Sequence, residues 1–130
     1  MCIFCKIANK EISAKIIFED DDVMAILDIS SATKGHSLVI PKQHYTNLLE
    51  LPKDLSHKMM DVSVSVAKDV TTKLAASGCN ILSNINEEAG QTVFHAHIHI
   101  LPRYSDDDLT IKFTPHKADL DDILKQILND

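Results

Sequence analysis

No run in the chain approaches the roughly 20 consecutive apolar residues that a membrane-spanning helix requires. Nor does the chain open with a basic stretch followed by a long apolar one, so the expected setting is soluble and cytoplasmic. Cysteine is scarce and odd in number. Of three residues, Cys2 and Cys5 lie too close together to suggest the disulfide framework of a secreted protein. In a reducing compartment a Cys-x-x-Cys pair points instead to half of a metal site or to a redox pair. Positive charge is in deficit: 13 Lys and Arg against 19 Asp and Glu leave a formal net charge of -6. The acids gather at Glu19-Asp20-Asp21-Asp22, at Asp106-Asp107-Asp108 and from Asp119 to Asp122. Most of that surface repels a polyanion, so no nucleic acid partner and no membrane partner are expected. A small phosphorylated ligand in a locally positive pocket remains compatible with it. Repeats, low-complexity linkers and an internal boundary are also lacking, and residues 1–130 read as a single domain.

Hydrophobic residues at 45% suffice for a packed core, and 25% charged residues argue against disorder. Ile3, Phe4 and Ile7 at helical spacing predict a short helix over 2–9. Segments 14–19 and 23–28 read as strands joined in a hairpin by the acidic turn. A third strand, 36–41, is entered through Gly35 and bounded by Pro41. Over 52–76, Leu55, Met59, Val62, Val66, Val70 and Leu74 recur every three or four residues, which predicts a long amphipathic helix stopped by Ser77-Gly78. Inside it Val62-Ser63-Val64-Ser65-Val66 alternates like a strand, but the longer helical period outweighs that pattern. Segments 79–83 and 92–101 complete five strands around a polar loop, 84–91, with Cys79 a small core residue. After an irregular 106–114, apolar Leu120, Ile123, Leu124, Ile127 and Leu128 behind a run of acids predict a closing helix over 119–128. The class is α+β, with a mainly antiparallel five-stranded sheet, one long helix and short terminal helices.

Within 92–101, His95, His97 and His99 occupy every second position of an apolar run. On a strand, Phe94, Ala96, Ile98 and Ile100 would share one face and pack, while three imidazoles line the other. Burying ring nitrogens without partners costs a few kcal/mol each, so such a row needs a task. Three readings are open. Three imidazoles and a water can hold a catalytic zinc. Same-face neighbours on a strand lie about 6.5 to 7 Å apart, however, and the outer pair about twice that, too far to converge easily. Alternatively the central ring attacks phosphorus while a neighbour binds the phosphate oxygens. The third reading is a hydrogen-bonded structural strand.

His95-Ala96-His97-Ile98-His99 followed by Ile100-Leu101 resembles the signature of the histidine-triad superfamily. So do Cys2-Ile3-Phe4-Cys5-Lys6-Ile7, Ile17-Phe18-Glu19-Asp20, Leu27-Asp28-Ile29-Ser30, Gly35 to Lys42 and Gly90-Gln91-Thr92-Val93-Phe94, in that order across residues 2 to about 104. The similarity is to the branch of histidine triad nucleotide-binding proteins. It implies an α+β fold, a homodimer whose sheets join across the two-fold axis, and hydrolysis of purine nucleotides at the α-phosphate, with an AMP-like product. His97 matches the nucleophile, His99 the residue on the phosphate oxygens, and His36 an upstream histidine that supports the triad. Asn84 and Thr92 match positions at the phosphate or leaving group, and the loop around Gly90 and Gln91 brings backbone amides to an anion. Asp28 matches the ribose-binding carboxylate; Phe4, Ile7, Ile12, Leu27 and Ile29 match an apolar base pocket. Alone, those apolar residues would be read as core, and Asn84 and Thr92 as loop caps.

Cys2, Cys5, His44 and His95 form a Cys-x2-Cys, x38, His, x50, His series. Two thiolates and two imidazoles suit tetrahedral zinc, and some members of the superfamily carry structural zinc with this pattern. All four ligands would be protein atoms, so the ion would be structural; no organic cofactor is expected. His57 and His116 are assigned to the surface. The chain departs from the family in having no tryptophan, so the C-terminal tryptophan that some members place beside the active site is missing. Glu88-Ala89-Gly90-Gln91-Thr92 also resembles a loop of dinucleoside polyphosphate hydrolases from a sister branch. The expected activity is that of a nucleoside phosphoramidase or related nucleotidyl hydrolase. The alternatives are a dinucleoside polyphosphate hydrolase and a nucleotide-binding interaction protein with incidental hydrolysis.

Overall fold

Asp20 closes the first hairpin by accepting the N–H groups of Asp22 and Val23 on one carboxylate oxygen, both at 2.8 Å. That turn joins β1 (Ile16–Glu19) to β2 (Val23–Leu27) in the computed structural model, which describes residues 2–129. A short helix α1 (Ile3–Ala8) precedes them. After β3 (Ser37–Pro41) comes the long helix α2 (Lys53–Lys73), then β4 (Gly78–Leu82), β5 (Ile98–Arg103) and a terminal helix α3 (Leu120–Leu128). The five strands form one sheet in the order β1-β2-β3-β5-β4, with every neighbouring pair antiparallel. The expected α+β class with a five-stranded antiparallel sheet is what the chain adopts.

Helices on both sides explain why the central strands read as unbroken apolar runs. Val23, Ala25, Val39, Ile98 and Ile100 face α2, where they meet Met59, Val62, Val66, Ala67 and Val70. Alternate residues Met24, Ile26, Leu38 and Ile40 face the other way, against Phe4 and Ile7 of α1. The strand-like stretch 62–66 is helical, and Ser63 shows how. Its buried hydroxyl donates to the Met59 carbonyl one turn back at 2.7 Å, so a polar residue enters the core with its donor satisfied. The helix stops earlier than Ser77-Gly78, because Ala75 turns left-handed at φ 56° and Ala76 N–H closes back on Thr71.

Two expectations fail in instructive ways. The histidine strand does not run over 92–101: only Ile98–Arg103 joins the ladder. Upstream, the backbone finds other partners, Ala96 N–H donating to the Tyr45 carbonyl at 2.7 Å and the Ser83 hydroxyl to the His97 carbonyl at 2.6 Å. Phe94 accordingly does not pack with Ala96 and Ile98; it is 47% exposed. The terminal helix forms as expected, capped by the Asp119 carboxylate on Asp122 N–H, but it does not close the core. Every residue from Thr110 to Asn129 is exposed. Among the described residues no helix is long and apolar enough to cross a membrane.

Gly35 delivers the chain into β3 at φ +87°, and a Cβ there would lie 2.5 Å from Leu74 Cδ1 and 3.0 Å from Val70 Cγ1. Backbone strain and displaced core side chains act together, so Gly35→Ala should cost about 1–3 kcal/mol of folding stability, read from urea midpoints.

Candidate active site and metal centre

Each imidazole near β5 has its tautomer set by what faces it. His97 Nδ1 lies 2.7 Å from the His95 carbonyl oxygen. A carbonyl only accepts, so Nδ1 carries the proton and Nε2 keeps its lone pair. His95 is held the opposite way round: Nε2 donates to the Pro41 carbonyl at 2.8 Å, which leaves the lone pair on Nδ1. His36 accepts the Ala32 N–H at Nδ1, 3.0 Å away, and so donates from Nε2 to His99 Nδ1, also at 3.0 Å. His99 therefore holds its own proton on Nε2. Asp28 stands behind the pair, with Oδ2 3.5 Å from His36 Nε2 and Oδ1 taking the Ser30 N–H at 2.8 Å.

Burial is the main reason these rings stay uncharged. It holds His36, His95 and His97 below the ordinary imidazole range. For His99, burial first and then the neighbouring His97 and His36 bring the value down to about 4. The His97 and His99 rings stand side by side with centroids 4.9 Å apart, and Phe4 meets the His97 ring edge-on at 5.1 Å. The donor atoms of Asp28, His36 and His99 lie within 4.8 Å of one another. That trio is a poor cation site all the same, since the proton on His36 Nε2 already fills the line between the two rings.

A cleft of about 290 Å³ opens here, and Phe4, Asp28, Ile29, Thr92, His97 and His99 all line it. Ile3, Ser30, Leu38 and Val93 join them, four residues the sequence reading missed. Leu38 alone carried a signal, since strand alternation puts it on the face of His36. Leu27 does not line the cleft. It precedes Asp28, and the same alternation points it to the other face. Ile7 is buried on the sheet-facing side of α1, and with Ile12 it borders a separate hollow beside Lys10 and Ile16. Asn84 and Gly90 lie at the base of the 84–92 loop, Asn84 Nδ2 reaching the Gly90 carbonyl at 3.5 Å. Gln91 is only 3% exposed, and its amide is fully used: Oε1 accepts Asn86 N–H at 2.8 Å, and Nε2 donates to the Thr46 and Val93 carbonyls at 2.7 and 3.0 Å. It braces the loop from within. A wider depression, about 450 Å³ between β1 and α2, has no histidine in its lining.

Cys2, Cys5, His44 and His95 converge on one point. His95 Nδ1 is 3.4 Å from Cys2 Sγ, 3.5 Å from Cys5 Sγ and 3.2 Å from His44 Nδ1, while His44 Nδ1 and Cys5 Sγ are 3.3 Å apart. A tetrahedron with zinc–sulfur and zinc–nitrogen bonds of about 2.3 and 2.0–2.1 Å has edges of about 3.3 to 3.8 Å, so the four atoms fit that ion. The His95 tautomer fits as well, since its lone pair faces the cluster. Burial and the adjacent Cys2 thiol push the Cys5 thiol up, so two neighbouring thiolates need a cation between them. His57 and His116 lie on the surface, as expected. Cys79 is partly buried against the α2 side of the sheet.

The HIT domain model matches residues 9–106. The chain belongs to the HIT-domain family. It is 48% identical over 129 residues to an uncharacterized HIT-like protein of Methanocaldococcus jannaschii, covering 98% of both chains. It is 38% identical over 108 residues to an adenylylsulfatase of Arabidopsis thaliana, covering 83% of this chain and 55% of that protein. The crystal structure of a HIT family member from Bacillus subtilis superposes with a TM-score of 0.91 at 40% identity, over 97% of this chain and 94% of that one. A Zn-bound histidine triad family protein from Mycobacterium smegmatis superposes with a TM-score of 0.79 at 39% identity, over 88% and 84%.

The depressed value of His99 gives this HIT domain an acid sensitivity with a defined sign. Between the ordinary imidazole value of about 6.5 and about 4, the unfolded chain binds a proton that the folded ring, buried beside His97 and His36, refuses. Stability contributed by that ring is complete above pH 6.5 and is lost as pH falls toward 4, with a slope of at most about 1.4 kcal/mol per pH unit. Urea midpoints measured from pH 7 to 4 should fall more shallowly in His99→Asn than in the parent.

Proposed function

We propose that this HIT-domain chain is a nucleotidyl hydrolase or transferase acting at the α-phosphate of purine nucleoside phosphoramidates or related nucleotidyl compounds, through a covalent intermediate on His97. The observation that carries the reading is the 2.7 Å bond from His97 Nδ1 to the His95 carbonyl, which leaves Nε2 unprotonated on a residue lining the cleft. The Nε2 lone pair forms a bond to the α-phosphorus as the bond to the leaving group breaks and that group departs with its electron pair and takes up a proton. Water then attacks the same phosphorus, loses to solvent the proton that solvent gave the leaving group, and breaks the bond to nitrogen, releasing the nucleoside monophosphate and restoring the neutral ring. His99, with its proton on Nε2, donates to a phosphate oxygen as charge builds there. Asp28 takes the ribose hydroxyls, and the base lies among Ile3, Phe4, Ile29, Leu38 and Val93. Thr92, Asn84 and the Gly90 amide lie toward the leaving group, with Gln91 holding their loop.

Support for nucleotide chemistry comes from the related adenylylsulfatase, and support for the metal from the Zn-bound relative together with the converging cluster. Cys2, Cys5, His44 and His95 would hold zinc as a closed structural site, contributing rigidity rather than a reaction step. That rigidity reaches the nucleophile, because the residue whose ring binds the ion also offers the carbonyl that orients His97. The same reading expects a homodimer whose sheets join across a two-fold axis.

His97→Ala should lower turnover of adenosine phosphoramidate at least about a thousandfold with the fold intact by circular dichroism. Rapid-quench mass spectrometry should place an adenylyl group on His97 in the parent. Persisting turnover in the variant, or an adduct elsewhere, refutes the assignment. For the metal, plasma mass spectrometry should find one zinc per chain in the parent and well below one in Cys5→Ser, with a lower Tm.

A further inference from the structure

The row of imidazoles leaves the sheet at a definite place. In the β4–β5 ladder Gly78 faces Arg103, Asn80 faces Leu101 and Leu82 faces His99, so the same register, two residues on, would set Asn84 opposite His97. Neither residue pairs: β4 ends at Leu82 and β5 begins at Ile98. The His97 carbonyl is met instead by a side chain, the Ser83 hydroxyl, which donates to it at 2.6 Å. Asn84 is thereby free to turn into the 84–92 loop, where its Nδ2 reaches the Gly90 carbonyl at 3.5 Å. Ser83 itself is not among the residues that line the cleft, so its hydroxyl has no place on a bound phosphate or leaving group.

We infer, on the reading of His97 as nucleophile, that Ser83 is the positioning residue that keeps the His97 ring aimed into the cleft. His97 is held at two points: its ring Nδ1 donates to the His95 carbonyl at 2.7 Å, and its own carbonyl accepts from Ser83. The first bond fixes the ring relative to the backbone, and the second fixes the backbone itself. With the first bond alone, the peptide after His97 can rock, and the Cα–Cβ bond that carries the ring moves with it. Attack on phosphorus needs the reacting atoms about 3–3.5 Å apart and aligned, and a displacement of about 1 Å can cost about a hundredfold in rate. The direction of the second bond is also fixed, since a carbonyl only accepts and the serine must give the proton. Ser77 offers a comparison within the same pair of strands. Its hydroxyl donates to the Arg103 carbonyl at 3.3 Å, at the opposite end of the ladder. The chemistry is the same and only the place differs.

The test uses the full chain with adenosine phosphoramidate as substrate. Ser83→Ala should lower kcat about tenfold while KM changes by less than about twofold, because the hydroxyl touches no substrate. In the resting protein, nitrogen-15 NMR of the imidazoles should find the His97 Nδ1 proton exchanging with solvent at least about tenfold faster in Ser83→Ala than in the parent. Ser83→Thr keeps the hydroxyl and should restore both readings to within about twofold. Ser83→Cys, a weaker donor, should fall between, and Ser77→Ala should move neither. A hydroxyl with a purely structural role would lower Tm and leave kcat and the proton exchange alone. Unchanged kcat in Ser83→Ala, a loss carried by KM alone, a loss with unchanged exchange, or an equal loss in Ser77→Ala would each overturn the assignment. If Ser83→Ala does not fold, Ser83→Cys carries the same comparison. If no adenylyl group forms on His97 in the parent, the functional reading fails by itself, and the exchange rates alone decide whether Ser83 positions that ring.

Discussion

One hydrogen bond organises the site, the donation from His97 Nδ1 to the His95 carbonyl. It fixes which nitrogen of His97 is basic. It also makes His95 the residue where two otherwise separate constructions meet, because the His95 ring points the other way, into the cysteine cluster. The carbonyl can serve the neighbouring ring only because the chain has not yet entered the ladder at that point. In a regular antiparallel strand that oxygen would face a partner strand or solvent along the sheet. The irregular stretch before Ile98 is thus what frees it.

The surrounding backbone holds that irregular stretch in place. Tyr45 takes the Ala96 N–H and Ser83 supplies a hydroxyl to the His97 carbonyl, so polar groups on both sides of the His97 ring are satisfied without strand pairing. Buried groups with complete partners have few alternative arrangements, since leaving one unmet costs about 1–3 kcal/mol. Rigidity at His97 follows from this completeness, and uncharged rings follow from the same burial. His36 and His99 extend the logic: a fixed backbone N–H at Ala32 sets one ring, which sets the next.

Much of this was legible in the residues, though unevenly. The hairpin at Asp20, the run 23–26 buried on both faces and the helical period over Met59, Val62, Val66 and Val70 are local patterns, and local physics decided them. The Cys-x-x-Cys spacing announced a cluster whose other half lay far along the chain, and resemblance supplied His44 and His95. What could not be read was which backbone group each ring would face, because Pro41, Tyr45 and Ala32 are brought there by tertiary folding. Alternation also overreached. It carried the histidine strand back to Thr92 and placed Phe94 inside, whereas Tyr45 and Ser83 had already claimed the backbone. The apolar stripe of α3 was visible, but no pattern within one chain tells where such a stripe will rest.

Gln91 separates the loop's foot from its tip. The buried amide ties the foot to Thr46 and Val93, while the turn Glu87–Ala89 is exposed beyond that knot. Insertions or substitutions at the tip can therefore reshape the approach to the cleft while leaving the basic nitrogen where it is. Variation in what the cleft admits then needs no change in the histidine row, only new residues beyond a fastening that stays shut.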